Sequence, residues 1–423
     1  MKKDLLLTSY LVLVFGFFNS NTIVAQISSG GDAFLQGNYI QIGVERLGGF
    51  EGANSTPPTT GTPWRFSGRG GAGISGFVAD PLMSSWTNYN GDFFTPGSPE
   101  NGWGLKINGS TFGNNRTGTA SIISSTSLSW THTGTLTTVD WEGSIISGTN
   151  NIKVNLNYSL GDNDLFYITT VTVTNMSSLT TNDIYYYRNL DADNNQSLSG
   201  NFSTTQSIVA QPSSCVGCYA QVNATQAAGS GFGASYFSFL ASDSIMKAGY
   251  GGFSNRDGET MYNGTGFTQT VGATNTADEA IYLAYKIDSL TAGGSHKSVT
   301  TSSDGSSRVF RFASIFAASE VTAAQNAMQA AASVGINELQ NSNNSIAIYP
   351  NPFEENTTIN LNPTINLSKA EFQIYDIMGK QIIALPVTTH NFTFNKGEMA
   401  QGLYFYKLVN NGSELSTGKF LVK

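Results

Sequence analysis

The chain has 423 residues, a formal net charge of -8, 12% charged residues and 12% aromatic residues. The acidic balance excludes a nucleic-acid partner, which needs clustered Lys and Arg, and is equally unsuited to anionic membrane surfaces. Charged residues stand at about half the usual share of roughly 25%, so solubility rests on Ser, Thr, Asn and Gly. Aromatic and β-branched residues are abundant enough to bury a large core, which argues against disorder.

In chain order, Lys2 and Lys3 are followed by the apolar run Leu5 to Phe18 and then Ile23-Val24-Ala25. This pattern predicts a signal peptide over residues 1–25, with cleavage before Gln26. The run is shorter than the roughly 20 residues a membrane helix needs, so no membrane span is expected in the mature chain.

Residues 26–336 are expected to form a β-sandwich body. Ile152 to Tyr158 and Phe166 to Val173 alternate apolar and polar residues around a Gly161-Asp162-Asn163-Asp164 loop, the pattern of a hairpin with one buried face. Further strands are expected at Asn38 to Val44, Ser127 to Thr131, Ile184 to Arg188, Tyr236 to Ala241, Ala280 to Ile287 and Arg308 to Phe316. Many short strands with turns between them predict an all-β, antiparallel architecture. Ser319 to Val334 carries an N-cap Ser, an early Glu320 and Gly335 just past its end, which predicts one helix. Residues 337–344 read as a polar linker and 345–423 as a second, small β domain.

Chemistry-bearing patterns are sparse. Cys215 and Cys218 are the only cysteines of an exported chain, with strand and turn signals before them and too few further ligands for zinc, and predict a structural disulfide. Asp191, Asp193 and Asn195 alternate as in the first half of a calcium loop, where such side chains converge on a hard cation. Gln196 and Phe202 stand where an EF-hand requires Gly and Glu, so an EF-hand is excluded. The remaining reading is a calcium site in a β-loop, completed by Asp162, Asp164 or Asp257, against a solvated turn locked by Arg188. Gly68 to Gly73 fits a dinucleotide fingerprint by spacing alone, without the flanking strand and helix. His132 and His296 lie in no nucleophile elbow. Asp140 and Glu142 flank Trp141 and share one strand face, the minimum for sugar chemistry by paired carboxylates. Trp64, Trp86, Trp103 and Tyr185 to Tyr187 are either core or sugar-stacking surfaces.

Two resemblances add to this. Tyr349-Pro350-Asn351-Pro352-Phe353, Ile374-Tyr375-Asp376-Ile377-Met378-Gly379-Lys380, Gly402-Leu403-Tyr404-Phe405-Tyr406-Lys407 and Gly418-Lys419-Phe420-Leu421-Val422-Lys423 resemble the type A C-terminal sorting domain of cargo for the type IX secretion system of Bacteroidota. The resemblance implies an immunoglobulin-like tail, recognition by that secretion machinery, and a secreted or cell-surface location. Gly91 to Gly104, Tyr185 to Asn195 and Ile281 to Leu283 with Leu290 to Gly294 are similar to a widespread exported β domain. That likeness implies a supersandwich-like body of the kind seen also in carbohydrate-active enzymes. The body is expected to act as a non-catalytic adhesin or glycan-binding or protein-binding module rather than an enzyme. The alternatives are a polysaccharide-directed hydrolase, lyase or epimerase, and a structural component of the outer surface.

Overall fold

The computed structural model describes residues 26–27, 31–46, 75–77, 91–92, 101–115, 122–194, 196–212, 219–229, 232–243, 245–252, 256–293, 305–334, 346–349, 351–361, 367–376, 380–410 and 413–423. The signal peptide, Cys215 and Cys218, Asn195, His296, Trp64, Trp86, Pro350, Gly379 and the 337–344 linker lie outside them.

Five short strands come first: β1 (Gln26–Ile27), β2 (Ala33–Gln36), β3 (Ile40–Val44), β4 (Ser75–Phe77) and β5 (Gly91–Asp92), paired in that order. β6 (Asn101–Ile107) and β7 (Ser110–Asn115) form a hairpin. A meander follows of β8 (Ser124–Thr133), β9 (Leu136–Ser147), β10 (Asn150–Gly161) and β11 (Phe166–Asn175), after which β12 (Thr181–Leu190) returns to pair with β6. Next come α1 (Gln196–Ser199), β13 (Thr204–Ala210), β14 (Ala220–Gln226), β15 (Ser235–Ala241), β16 (Met246–Tyr250), α2 (Gly258–Asn263), β17 (Thr274–Ala277), β18 (Ile281–Leu290), β19 (Ser307–Ala317) and α3 (Glu320–Val334). The last seven strands are β20 (Ile346–Tyr349), β21 (Asn356–Leu361), β22 (Ala370–Tyr375), β23 (Gln381–Val387), β24 (Asn391–Asn395), β25 (Gly402–Asn410) and β26 (Ser413–Val422).

The body is an all-β sandwich. A nine-stranded sheet, ordered β17-β13-β14-β15-β19-β11-β10-β9-β8, packs on a five-stranded sheet, ordered β16-β18-β12-β6-β7. Period-two patterning builds the interior: along β10, Ile152, Val154, Leu156, Tyr158 and Leu160 are buried while Lys153, Asn155, Asn157 and Ser159 are half-buried on the other face. The two sheets meet through aromatic contacts. Trp141 of β9 lies edge-on to Trp103 of β6 with centroids 5.2 Å apart, and Phe310 of β19 stacks on Tyr285 of β18 at 4.1 Å. Alternate residues of β2 and β3, including Leu35 and Ile42, join the same core.

The expected hairpin forms with Val154 opposite Val173 and Leu156 opposite Val171. Between β9 and β10 the chain turns through Gly148 at φ +58°, a conformation glycine adopts without strain. α3 forms where the cap signals put it: Ser319 Oγ accepts from Thr322 N at 3.2 Å. Ala327 and Ala330 then pack on Phe166, Ile168, Leu240, Ala313 and Ile315, covering part of the outer face of the nine-stranded sheet.

A second helix, α2, escaped the pattern reading although its cap is legible. Asp257 Oδ1 accepts from Glu259 N and Thr260 N at 3.0 Å each, and Gly264 closes the helix at φ +71°. Met261 packs with Tyr187, Tyr282 and Ala284 on the outside of the five-stranded sheet. Lys106 Nζ lies 2.7 Å from Asp257 and 2.8 Å from Glu259. Burial works to raise the Asp257 carboxyl, and the Lys106 ammonium with the Thr260 N–H outweighs it, so the group sits below the ordinary range. A depressed carboxylate stabilises the fold above its unfolded value of about 3.9 and loses that contribution as pH falls through the folded value. Asp257→Ala is therefore expected to lower stability by about 1–2 kcal/mol at pH 7. In urea melts the gap from wild type should close below about pH 4; a gap independent of pH would exclude the charge as its source.

The tail is a small sandwich of a three-stranded sheet, β20-β21-β24, and a four-stranded sheet, β23-β22-β25-β26, as an immunoglobulin-like domain requires. Its core holds Phe353, Ile359, Phe372, Ile374, Phe394, Leu408 and Phe420. β23 carries Pro386; it is an edge strand, where a missing N–H is tolerated.

Candidate functional site

Two regions gather chemistry. One is the open part of the outer face of the nine-stranded sheet. Ser129, Asp140, Asn157, Thr170 and Arg311 form one row across β8, β9, β10, β11 and β19. Ser127, Glu142, Asn155 and Thr172 form the next. Strand alternation places Asp140 and Glu142 on this face, two residues apart and so about 6.6 Å along the strand, with Trp141 fully buried behind them. Asn157 Nδ2 donates to Asp140 at 2.8 Å, and Lys153 pairs with Glu142 at 2.5 Å. Both carboxylates are half-buried, so they meet solvent and partner at once.

β8, at the sheet edge, is exposed along nearly its whole length. Thr131 and Thr138 share a 2.7 Å hydroxyl contact on the polar face. Trp130, 37% exposed, projects from the opposite side of the strand, opposite Val139. His132 contacts Thr137 Oγ1 through Nδ1 at 3.0 Å, a polar residue on a strand face. The other aromatics considered for sugar stacking are interior: Trp103, Tyr185, Tyr186 and Tyr187 are all buried. Trp130 was the aromatic missed, because its alternation alone marks it as a core residue and only its place at the sheet edge exposes it.

The second region is the segment after β12. Asp191, Asp193 and Asp278 bring carboxylate oxygens within 4.8 Å of one another. Asp191 and Asp193 are buried, and Asp278, just past β17, is exposed. Burial, with Asp191 and Asp278 nearby, raises the Asp193 carboxyl to about 9. The partner from elsewhere in the fold is Asp278, in place of Asp162, Asp164 or Asp257: Asp162 and Asp164 stay in the β10–β11 turn, and Asp257 caps α2. Arg188 is buried in the sandwich and donates from Nη1 to Gly102 O at 2.8 Å.

In the tail, the sorting motifs converge. Asn351 Oδ1 accepts from Leu421 N at 2.9 Å, Phe353 N donates to Leu421 O at 3.1 Å, and Lys423 N donates to Phe353 O at 2.8 Å. The Tyr349 to Phe353 motif is thus laced to the Gly418 to Lys423 motif. Tyr404 stacks on Phe420 and its hydroxyl donates to Ala400 O at 2.8 Å. Gly418 serves no turn. It sits within β26 opposite Tyr406, whose ring lies where a Cβ would be, with the hydroxyl 2.5 Å and Cζ 2.6 Å from that position. Lys419 Nζ donates to Ala331 O of α3, and burial lowers its ammonium to about 8.

The molecule is thus a β-sandwich body, with the short β1 to β5 sheet beside its two large sheets, joined to a small β-sandwich tail. Residues 347–423 match the family described as a secretion system C-terminal sorting domain. The chain is accordingly secreted or displayed at the cell surface through the type IX machinery, with which the tail interacts. Among the described residues no helix is long and apolar enough to cross a membrane.

No curated protein matches the chain. Among solved structures, a polysaccharide lyase is 12% identical, with 82% of this chain and 43% of that chain covered and a TM-score of 0.29. The chain thus spans less than half of that protein. A putative aldose 1-epimerase from Klebsiella pneumoniae subsp. pneumoniae is 10% identical over 75% of this chain and 88% of that one, with a TM-score of 0.32. A galactose mutarotase related enzyme from Lactobacillus acidophilus is 8% identical over 68% and 98%, with a TM-score of 0.27. These scores are too low to carry an activity across. The expectation of a body without catalysis is withdrawn: the solved structures found bear the names of a lyase and an epimerase and, at these scores, decide neither for nor against an activity here. The absence of a nucleophile elbow at His132 and His296 is no test either: sugar chemistry can run on two carboxylates alone.

Proposed function

We propose that the body is a glycan-directed domain of a secreted or surface-displayed protein, and that sugars bind on the open outer face of its nine-stranded sheet. The observation that carries this reading is the pair of polar rows around Asp140 and Glu142. Sugar hydroxyls are donors and acceptors at once and are matched by hydroxyls, amides and carboxylates held on a rigid surface. Strands β8 to β11 present all three at fixed spacing, and each carboxylate is oriented by its own partner, Asn157 or Lys153. Asp140 and Glu142 on one face also supply the two carboxylates that acid and base chemistry on a glycosidic bond requires.

The test is a glycan array with the full chain, scoring retained and cleaved sugars together, repeated with Asp140→Asn and Glu142→Gln. Wild type is expected to bind or cleave a defined glycan class, and each substitution to weaken binding at least tenfold or abolish cleavage, with unchanged melting temperature. Binding that survives both substitutions would move the site off this face, and silence across the array would overturn the glycan reading.

A further inference from the structure

Just beyond β12 the chain carries a concentration of oxygen acceptors with nothing to accept. Asp193 Oδ1, Asn194 Oδ1 and Gln196 Oε1 are buried and have no hydrogen-bond donor. Native folds leave few buried polar atoms unsatisfied, and three acceptors within four residues point to a positively charged guest. The Asp193 carboxylate, 1% exposed, belongs to the group it forms with Asp191 and Asp278, whose oxygens lie within 4.8 Å of one another. Two oxygens on opposite sides of a calcium ion, each about 2.4 Å from it, have that separation.

The two sides of this group come from different layers. Asp191 and Asp193 leave the end of β12 in the five-stranded sheet, and Asp278 leaves β17 at the edge of the nine-stranded sheet. Each side is anchored by its own neighbours. Asn194 Nδ2 donates to Ala224 O of β14 at 2.8 Å, and Gln206 Nε2 of β13 donates to Ala277 O at 3.0 Å and Glu279 O at 3.3 Å, on both sides of Asp278. Exposure of Asp278 gives an ion a route in from solvent.

We propose that Asp191, Asp193 and Asp278 bind one calcium ion that fastens the end of the five-stranded sheet to the edge of the nine-stranded sheet. Oxygen donors alone, without His or Cys, select a hard cation. Carboxylates drawn from two separately anchored segments suit the adaptable geometry of calcium better than the strict octahedron of magnesium. The ion's role is structural, independent of the sugar reading.

The test uses the full chain stripped with EGTA, then titrated with calcium or magnesium by calorimetry and followed by thermal melting. Calcium is expected to bind at one equivalent and, at a hundredfold excess over its dissociation constant, to raise Tm by about 5 °C. Asp278→Asn, at an exposed position, should weaken calcium at least tenfold while leaving the calcium-free Tm within about 2 °C. Asp193→Asn should abolish the calcium-dependent rise, and Glu279→Gln, outside the group, should keep it. An identical melting curve with calcium and with EGTA, wild-type affinity in both Asp variants, or preference for magnesium would each overturn the assignment.

Discussion

Trp141→Ala is expected to destabilise the body by about 3–5 kcal/mol, the range for emptying a large aromatic site from a packed core. The site is fully buried, lies edge-on to Trp103 across the two sheets, and has Gly143 beneath the Trp141 ring. Neighbouring strands cannot collapse into the vacancy without losing their register. The substitution also removes the 2.7 Å donation from Trp141 Nε1 to Arg46 O, leaving that carbonyl without the indole donor. Against a typical total of 5–15 kcal/mol, the loss takes a large part of the stability and lowers Tm by about 10 °C. Trp141→Phe keeps most of the ring and should cost less than half as much. A loss below about 1 kcal/mol for the alanine variant would mean that the sheets do not meet through this residue.

Removal of residues 345–423 should abolish delivery to the surface and leave the body in the periplasm, because the match to the sorting family lies within that segment. Gly418→Val is the sharper form of the experiment. A side chain there enters the space of the Tyr406 ring, and Tyr406 is held in turn by stacking on Phe372 with centroids 5.0 Å apart. Overpacking of this kind costs about 1–3 kcal/mol and more where the neighbour cannot move. The expected result is a several-fold fall in surface protein with retention of the precursor, read by fractionation and immunoblot. Normal surface delivery of the truncated chain would refute the sorting role.

Local alternation made the hairpin of β10 and β11 legible, because each strand buries one face against a single core. The same rule missed β6, where Trp103, Gly104 and Leu105 are buried in succession and no alternation survives. It also missed Trp130, whose exposure depends on which strand ends the sheet. Asp191 and Asp193 could be picked out by spacing, since neighbours in sequence are neighbours in space. Asp278 could not: it reaches them only through the pairing of β17 with β13, a long-range choice that no local pattern encodes. The partner of Asp257 was hidden for the same reason, although Asp257-Gly258-Glu259-Thr260 reads as a helix start once its cap is recognised.

The lacing of the tail has a temporal consequence. Its opening motif finds its backbone partners in Leu421 and Lys423, so Phe353 and Asn351 wait for those residues before their bonds can close. A variant cut before Leu421 would keep most of the motif residues and lose these three bonds. The opening and closing motifs therefore take their folded form together, so the secretion machinery meets one joined surface rather than two separate signals.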